Sequence, residues 1–168
     1  MTATDIPSKP ENAPAVCGVA RFVIDRAGVW WHDGRPIRRT ALVQLFATIL
    51  RRDEDGFWLQ TPVEREAVVV EDAPFLGLAI DVVGSGAGQE VRVATNIGEA
   101  VTISRSHRLR VEVDPTTEEP RPYVEVRPGL EARLVRSAFY HLIEVATEDA
   151  GQLGVWSAGE HHRLGAAP

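Results

Sequence analysis

The chain has 168 residues, 44% hydrophobic and 25% charged, with a formal net charge of −6 at pH 7. That length and balance suit one domain, or two small ones sharing a core, able to fold without a metal or a disulfide. The acidic excess speaks against a broad footprint on a nucleic acid polymer or an anionic membrane, and the single cysteine, Cys17, excludes an intramolecular disulfide.

Residues 1–16, with Pro7, Pro10 and Pro14 among small polar side chains, read as a disordered lead-in. They lack the basic and apolar blocks of a signal peptide. No later apolar run nears the ~20 residues of a membrane span, so a cytoplasmic protein is expected. Lys9 is the only lysine, which leaves arginine as the permanent cation of the folded body and removes lysine-based Schiff-base chemistry from it.

Residues 21–25 read as a first strand. Asp25-Arg26-Ala27-Gly28 turns the chain into Val29-Trp30-Trp31-His32, and Asp33-Gly34 is a strong hairpin signal. Residues 40–51 carry Leu42, Leu45, Phe46, Ile49 and Leu50 at helical spacing, with Arg51 and Arg52 placed to meet the negative end of that helix. Strands are then expected over 57–61, 65–71, 75–83, 91–95 and 100–104. Residues 109–113 alternate apolar and charged side chains, and 115–122 read as a loop before a strand at 123–127. A second helix is expected over 135–148, with Val135, Phe139, Leu142, Ile143 and Ala146 as its apolar stripe. A short strand at 154–157 precedes Glu160-His161-His162.

The two helices match each other. Arg39-Thr40-Ala41-Leu42-Val43-Gln44-Leu45 aligns with Arg136-Ser137-Ala138-Phe139-Tyr140-His141-Leu142 at a constant offset, each after a glycine turn. Two copies of a strand–turn–helix unit would produce this. The fold class is therefore α+β, with two β-rich halves that each carry one amphipathic helix. We place the first half at 17–72 and the second at 73–168, because 75–83 and 91–95 read as one hairpin and belong together.

Gly84-Ser85-Gly86-Ala87-Gly88 lies between two strands, so it is a hairpin loop and not a phosphate cradle, which must open a helix. His32, His107, His141, His161 and His162 lack metal-ligand spacing, and no metal or cofactor is expected. Ser85 and Ser157 lack the context of a nucleophile. The carboxylates of Thr61-Pro62-Val63-Glu64 and Glu71-Asp72-Ala73-Pro74 sit at strand ends, where they could serve acid–base chemistry or pair with arginine. Arg38 and Arg39 open one helix; Arg133 and Arg136 open the other. A guanidinium at a helix start opposes the dipole, so each should face something negative: an internal carboxylate such as Glu64, Glu71, Asp72 or Glu131, or an anionic ligand. Tyr123, Glu125 and Arg127 share one strand face and put an aromatic ring beside a charge pair.

Four ordered motifs add a resemblance: Trp31-His32-Asp33-Gly34-Arg35-Pro36-Ile37, Leu59-Gln60-Thr61-Pro62-Val63-Glu64, Val70-Glu71-Asp72-Ala73-Pro74, and the run from Tyr123 through Pro128-Gly129 to Ala132. Over roughly residues 22–156 the chain resembles the bacterial domain-of-unknown-function family 1285. That resemblance implies a duplicated core, a second half superficially like a pleckstrin-homology fold, and a nucleotide-based ligand bound between the halves in signal transduction. It turns Thr61, Glu64, Asp72, Arg127, Glu131 and Arg136 into candidate site residues.

Together these readings point to a ligand-binding module, more a binder than an enzyme. Arginines would hold the phosphate of a small anionic ligand, Tyr123 or Trp31 would stack on a base, and Thr61 and Glu64 would fix its polar groups, with Arg39, Asp72, Arg127, Glu131 and Arg136 as the further candidate ligand-binding residues. A protein-interaction adaptor and a hydrolase using Glu64, Asp72 or Glu131 are the alternatives.

Overall fold

Asp33 and Gly34 both carry positive φ, 48° and 74°, the pair of left-handed residues that a tight two-residue hairpin turn requires. In the computed structural model, which describes residues 20–166, this turn joins β2 (Trp30–His32) to β3 (Arg35–Pro36). The expected lead-in at 1–16, and Cys17, lie outside the described residues. β1 (Phe22–Ile24) precedes the turn; α1 (Thr40–Ile49), β4 (Leu50–Asp53), β5 (Gly56–Gln60) and β6 (Arg65–Val70) follow. The six strands form one sheet in the order β3-β2-β1-β6-β5-β4, antiparallel except at the centre, where β1 and β6 run parallel.

The second half repeats that plan. β7 (Phe75–Val83) and β8 (Glu90–Thr95) form the expected hairpin, with the glycine-rich run folded as a single 3-10 turn, Gly86–Gly88. β9 (Ala100–Thr102), β10 (Leu109–Val113), β11 (Pro120–Arg127) and β12 (Leu130–Leu134) complete a sheet in the order β10-β11-β12-β7-β8-β9. Counted from the start of each half, both sheets therefore run 3-2-1-6-5-4, and in both the first and sixth strands are the parallel pair. α2 (Arg136–Glu144) packs on β7. A small third sheet of β13 (Thr147–Asp149), β14 (Gln152–Ser157) and β15 (Glu160–Ala166) closes the second half against β8 and β10.

The duplication lies in the strands. α1 connects the third and fourth strands of its sheet, whereas α2 follows the sixth strand of the other. The helices that match in sequence thus occupy different positions, and the strand–turn–helix unit expected from that match is corrected. Two amphipathic helices share apolar spacing whatever they connect.

Other differences have local causes. Leu50 and Arg51 leave the first helix because Asp53 to Gly56 reverses the chain and pairs Leu50 with Leu59. Arg51 still reaches back, donating Nη1 to the carbonyl of Thr48 at 2.9 Å, while Arg52 lies over the Phe57 ring. Leu45, expected in the core stripe, is 58% exposed, and Ala47 takes the buried place in α1. The second helix stops at Glu144 because Ala150 and Gly151, at φ 49° and 76°, form a hairpin turn that recruits Thr147–Asp149 into a strand. The loop expected at 115–122 ends early, since Pro120 to Pro122 already pair with Val113 to Val111.

One core runs through both halves. Ile24, Trp30 and Leu50 from the first join Phe75, Val93, Val124, Leu134 and Leu142 from the second in a single buried cluster. Among the described residues no helix is long and apolar enough to cross a membrane.

The turn between β1 and β2 is part of the contact between the halves. Gly28 stands there at φ 78°, and a Cβ on it would fall 2.8 Å from Leu76 Cδ1 and 3.3 Å from the Asn96 amide nitrogen. Gly28→Ala should lose roughly 2–3 kcal/mol in urea denaturation, from backbone strain plus overpacking. Gly34→Ala, at φ 74° with open space around it, should lose only about 1 kcal/mol.

Candidate functional site

Cross-strand partners in a sheet point to the same face. The pairing of β10, β11 and β12 sets Arg110 opposite Tyr123 and Tyr123 opposite Arg133, so three charged or aromatic side chains form one row. The Arg110 guanidinium lies 4.2 Å from the Tyr123 ring centroid and holds both oxygens of Glu131 at 2.6 Å. This bidentate grip keeps the Arg110 proton strongly bound and answers the repulsion between Glu131 and Glu125, which face each other across the strands.

The row ends on Asp72, in the link between the halves. The Tyr123 hydroxyl donates to Asp72 Oδ1 at 2.7 Å, and Arg133 Nε donates to Oδ2 at 2.7 Å. Arg133 Nη2 donates further, to the carbonyl of Arg26 in the β1–β2 turn, at 2.7 Å. One arginine of the second half therefore grips two segments of the first. Burial pushes the Tyr123 hydroxyl up to about 12, helped by its hydrogen bond to Asp72 and the adjacent carboxylate charge.

Beside this junction opens a cleft of about 370 Å³. Arg26 and Asp72 come to it from the first half; Glu119, Arg121, Arg133 and Arg136 come from the second. Leu134, Phe139, Tyr140, Pro120 and Pro122 supply its apolar wall. Four arginines and two acidic residues thus line it, in a chain whose net charge is −6. Arg121 is paired with the buried Asp114, and Arg136 Nη2 lies 3.0 Å from Glu119 Oε1 with both side chains exposed. Among the described residues no carboxylate pairs with the Arg26 guanidinium, while the Arg26 backbone N–H donates to Glu71. α2 starts at Arg136 with no side-chain cap and no acid in its first turn, which leaves the positive end of its dipole beside the cleft.

The nine residues singled out from the sequence divide among several places. Asp72 and Arg136 line the cleft, and Tyr123 stands behind Asp72. Glu131 is held by Arg110, not by Arg136. Arg127 braces the halves: its Nη1 donates to the carbonyl of Ala47 at 2.9 Å and its Nη2 pairs with Glu99 at 3.0 Å. The face shared by Tyr123, Glu125 and Arg127 is broken by a register shift between Glu125 and Arg127. Trp31 is buried, its indole N–H donating to Asp25 at 2.8 Å, so its ring is not free to stack on a ligand. Arg39 is exposed at the start of α1, away from the cleft lining.

Thr61 and Glu64 line a smaller cleft of about 230 Å³ in the first half, under α1, with Phe22, Phe46 and Leu59. Their sequence motif has a local purpose, since Thr61 Oγ1 accepts the Glu64 N–H at 3.0 Å and closes the turn before β6. Glu64, Asp72 and Glu131 do not line one cavity, and Asp72 and Glu131 are committed to arginines. Among the described residues no cluster of three metal-ligating side chains occurs. Arg26, Arg121, Glu119 and Tyr140 line the cleft without marking themselves in the sequence, where Arg26 reads only as a turn residue; Arg133, expected to open the second helix, lies in β12.

Comparison with known families matches residues 10–73 to the domain of unknown function DUF1285, N-terminal domain, and residues 74–164 to the protein of unknown function DUF1285, C-terminal domain. A crystal structure of a DUF1285 family protein from Silicibacter pomeroyi DSS-3 is similar, with 40% identity and a TM-score of 0.83 over 88% of this chain and 80% of that one. Another, from Shewanella baltica OS155, shares 28% identity with a TM-score of 0.59 over 75% of this chain and 92% of that one. No curated protein matches the chain.

The raised Tyr123 ionisation makes a stability prediction. The unfolded chain releases this proton near pH 10 and the folded protein only near 12. Folding stability should therefore be intact below about pH 10 and fall as pH rises from there towards 12. Urea midpoints measured across that window should fall less steeply in Tyr123→Phe than in the wild type.

Proposed function

The chain belongs to the bacterial DUF1285 family, and we propose that it is a non-enzymatic module that binds a nucleotide-like anionic ligand in the cleft between its halves, in signal transduction. The observation that carries this reading is the charge inversion: an acidic protein gathers four arginines around one cleft that both halves line. Guanidinium groups match the planar, bidentate geometry of phosphate and carboxylate oxygens. The volume, about 370 Å³, suits a small molecule. Tyr140, 56% exposed on α2, and the adjacent Phe139 offer a flat apolar surface to a base, the task that the sequence had assigned to Trp31 or Tyr123.

A second half superficially like a pleckstrin-homology fold, a sheet followed by a helix, is part of this reading. The adaptor alternative draws less support. The exposed apolar side chains Leu45, Val63, Leu78, Val83 and Val113 are spread over α1, the β5–β6 turn, β7 and β10. A carboxylate-dependent hydrolase would need a pair of acids in one cavity, and the cleft's acids, Asp72 and Glu119, both face arginines.

A panel of nucleotides screened by thermal shift tests the proposal. A ligand at ~100 times its dissociation constant should stabilise the protein by about 2.7 kcal/mol. Arg136→Leu should abolish the shift yet leave the unliganded melting temperature nearly unchanged, because the Arg136–Glu119 pair is exposed and contributes at most ~1 kcal/mol. A panel without any shift would remove the reading, and a collapsed Arg136→Leu fold would make this arginine a structural brace.

A further inference from the structure

The four arginines of the cleft are not equally available: among the described residues no carboxylate pairs with the Arg26 guanidinium, and the other three are paired. Arg133 is held by Asp72 and by the carbonyl of Arg26, so removing it from either would open the junction between the halves. Arg121 is held by Asp114, a buried carboxylate that also accepts the backbone N–H groups of Thr116 and Thr117 at 2.8 and 3.0 Å. Arg136 is different. Its acidic partner is Glu119, at 3.0 Å, and the two side chains are 69% and 60% exposed. Breaking that contact exposes no buried charge.

Glu119 is not a stray surface acid. The loop that carries it, between β10 and β11, is fixed at its base: Asp114 N–H donates to the carbonyl of Glu119 at 2.9 Å, and Glu118 N–H donates to the carbonyl of Asp114 at 2.8 Å. Glu118 adopts φ 58°, in the left-handed region. The backbone therefore sets Glu119 at the rim of the cleft, and only its side chain is free to leave.

From this we infer that Glu119 is a built-in competitor for the ligand's anionic group. Of the three cleft guanidinium groups that carboxylates pair with among the described residues, its carboxylate occupies the one that can be released without cost to the fold, so ligand binding there exchanges one acid for another. The inference rests on the anion-binding reading of the cleft and adds what sets its affinity. Glu119 lowers the affinity for every anion and rejects those too weakly charged to displace it. A ligand with closely spaced phosphate oxygens displaces it most readily, because the bidentate fork of Arg136 is then filled more completely than Glu119 fills it.

Isothermal titration calorimetry with inorganic pyrophosphate at fixed ionic strength separates this from a general charge effect. Glu119→Gln should bind about two- to fivefold tighter than the wild type, the range that an exposed ion pair covers. Glu118→Gln makes the same change in net charge next door without touching Arg136, and should stay close to the wild type. Arg136→Gln should lose most of the affinity. An unchanged or weaker Glu119→Gln would overturn the competitor role while leaving the binding site standing, and so would a Glu118→Gln that gains as much. If neither the wild type nor Glu119→Gln binds pyrophosphate, and no nucleotide shifts the melting temperature, the anion-binding reading itself fails and takes the competitor with it.

Discussion

Asp72 sits in the short link from Val70 to Phe75 and gives both its carboxylate oxygens to the second half, one to Tyr123 and one to Arg133. A carboxylate left in so enclosed a place without partners would cost several kcal/mol, so its pairing fixes how the link can run. The same Arg133 reaches the carbonyl of Arg26, and Glu71 N–H donates to the carbonyl of Ile24 at 3.0 Å. The end of β1, the β1–β2 turn and the link are thereby drawn together against β11 and β12 of the second sheet. The cleft is the space that remains beside this knot, and it exists because the halves meet through polar side chains there and not through the core.

The electrostatics of the cleft follow from the same arrangement. Arginines serve two purposes in this protein, and their partners tell them apart. Arg110, Arg121, Arg127 and Arg133 are bound to carboxylates or carbonyls that hold strands, turns or halves in register. Arg136 meets only an exposed acid, and Arg26, whose backbone N–H donates to Glu71, also lines the cleft. The first group shapes the site, and the second is left to act in it. With both kinds crowded at one place, the local charge runs against the acidic net charge of the chain.

Duplication has not made the two halves alike at the junction. The two sheets share their strand order, yet α1 and α2 occupy different connections. α2 follows the sixth strand of its sheet and brings Arg136, Phe139 and Tyr140 to the cleft. The sixth strand of the first sheet is followed instead by the link that carries Asp72, which passes directly into β7. α1 covers a smaller hollow within its own half, where Thr61 and Glu64 lie. Two equivalent sheets thus come to have unlike sites.

Local chemistry made much of the fold legible. Asp33-Gly34 announced its hairpin, the alternation at Leu109–Val113 its strand, and the runs at Phe75–Val83 and Glu90–Thr95 their pairing, because turn preferences and period-two burial act over a few neighbouring residues. The same local signals marked Asp72, a carboxylate at a strand end, and Arg136, a guanidinium against a helix dipole, as charges in need of a partner, and the family resemblance made them candidate site residues. Sequence could not tell which charges meet. Arg26 and Arg133 are 107 residues apart, Asp72 and Tyr123 are 51 apart, and only the parallel joining of β7 to β12 brings them within hydrogen-bonding distance. Nor could it tell that Trp31 is buried or that Arg127 is a brace, since side chains of the same type serve core, junction and surface according to what the far strands deliver to them. Spacing along the chain determined most of the elements, and long-range strand pairing decided their ends and which of their side chains face one another across the cleft.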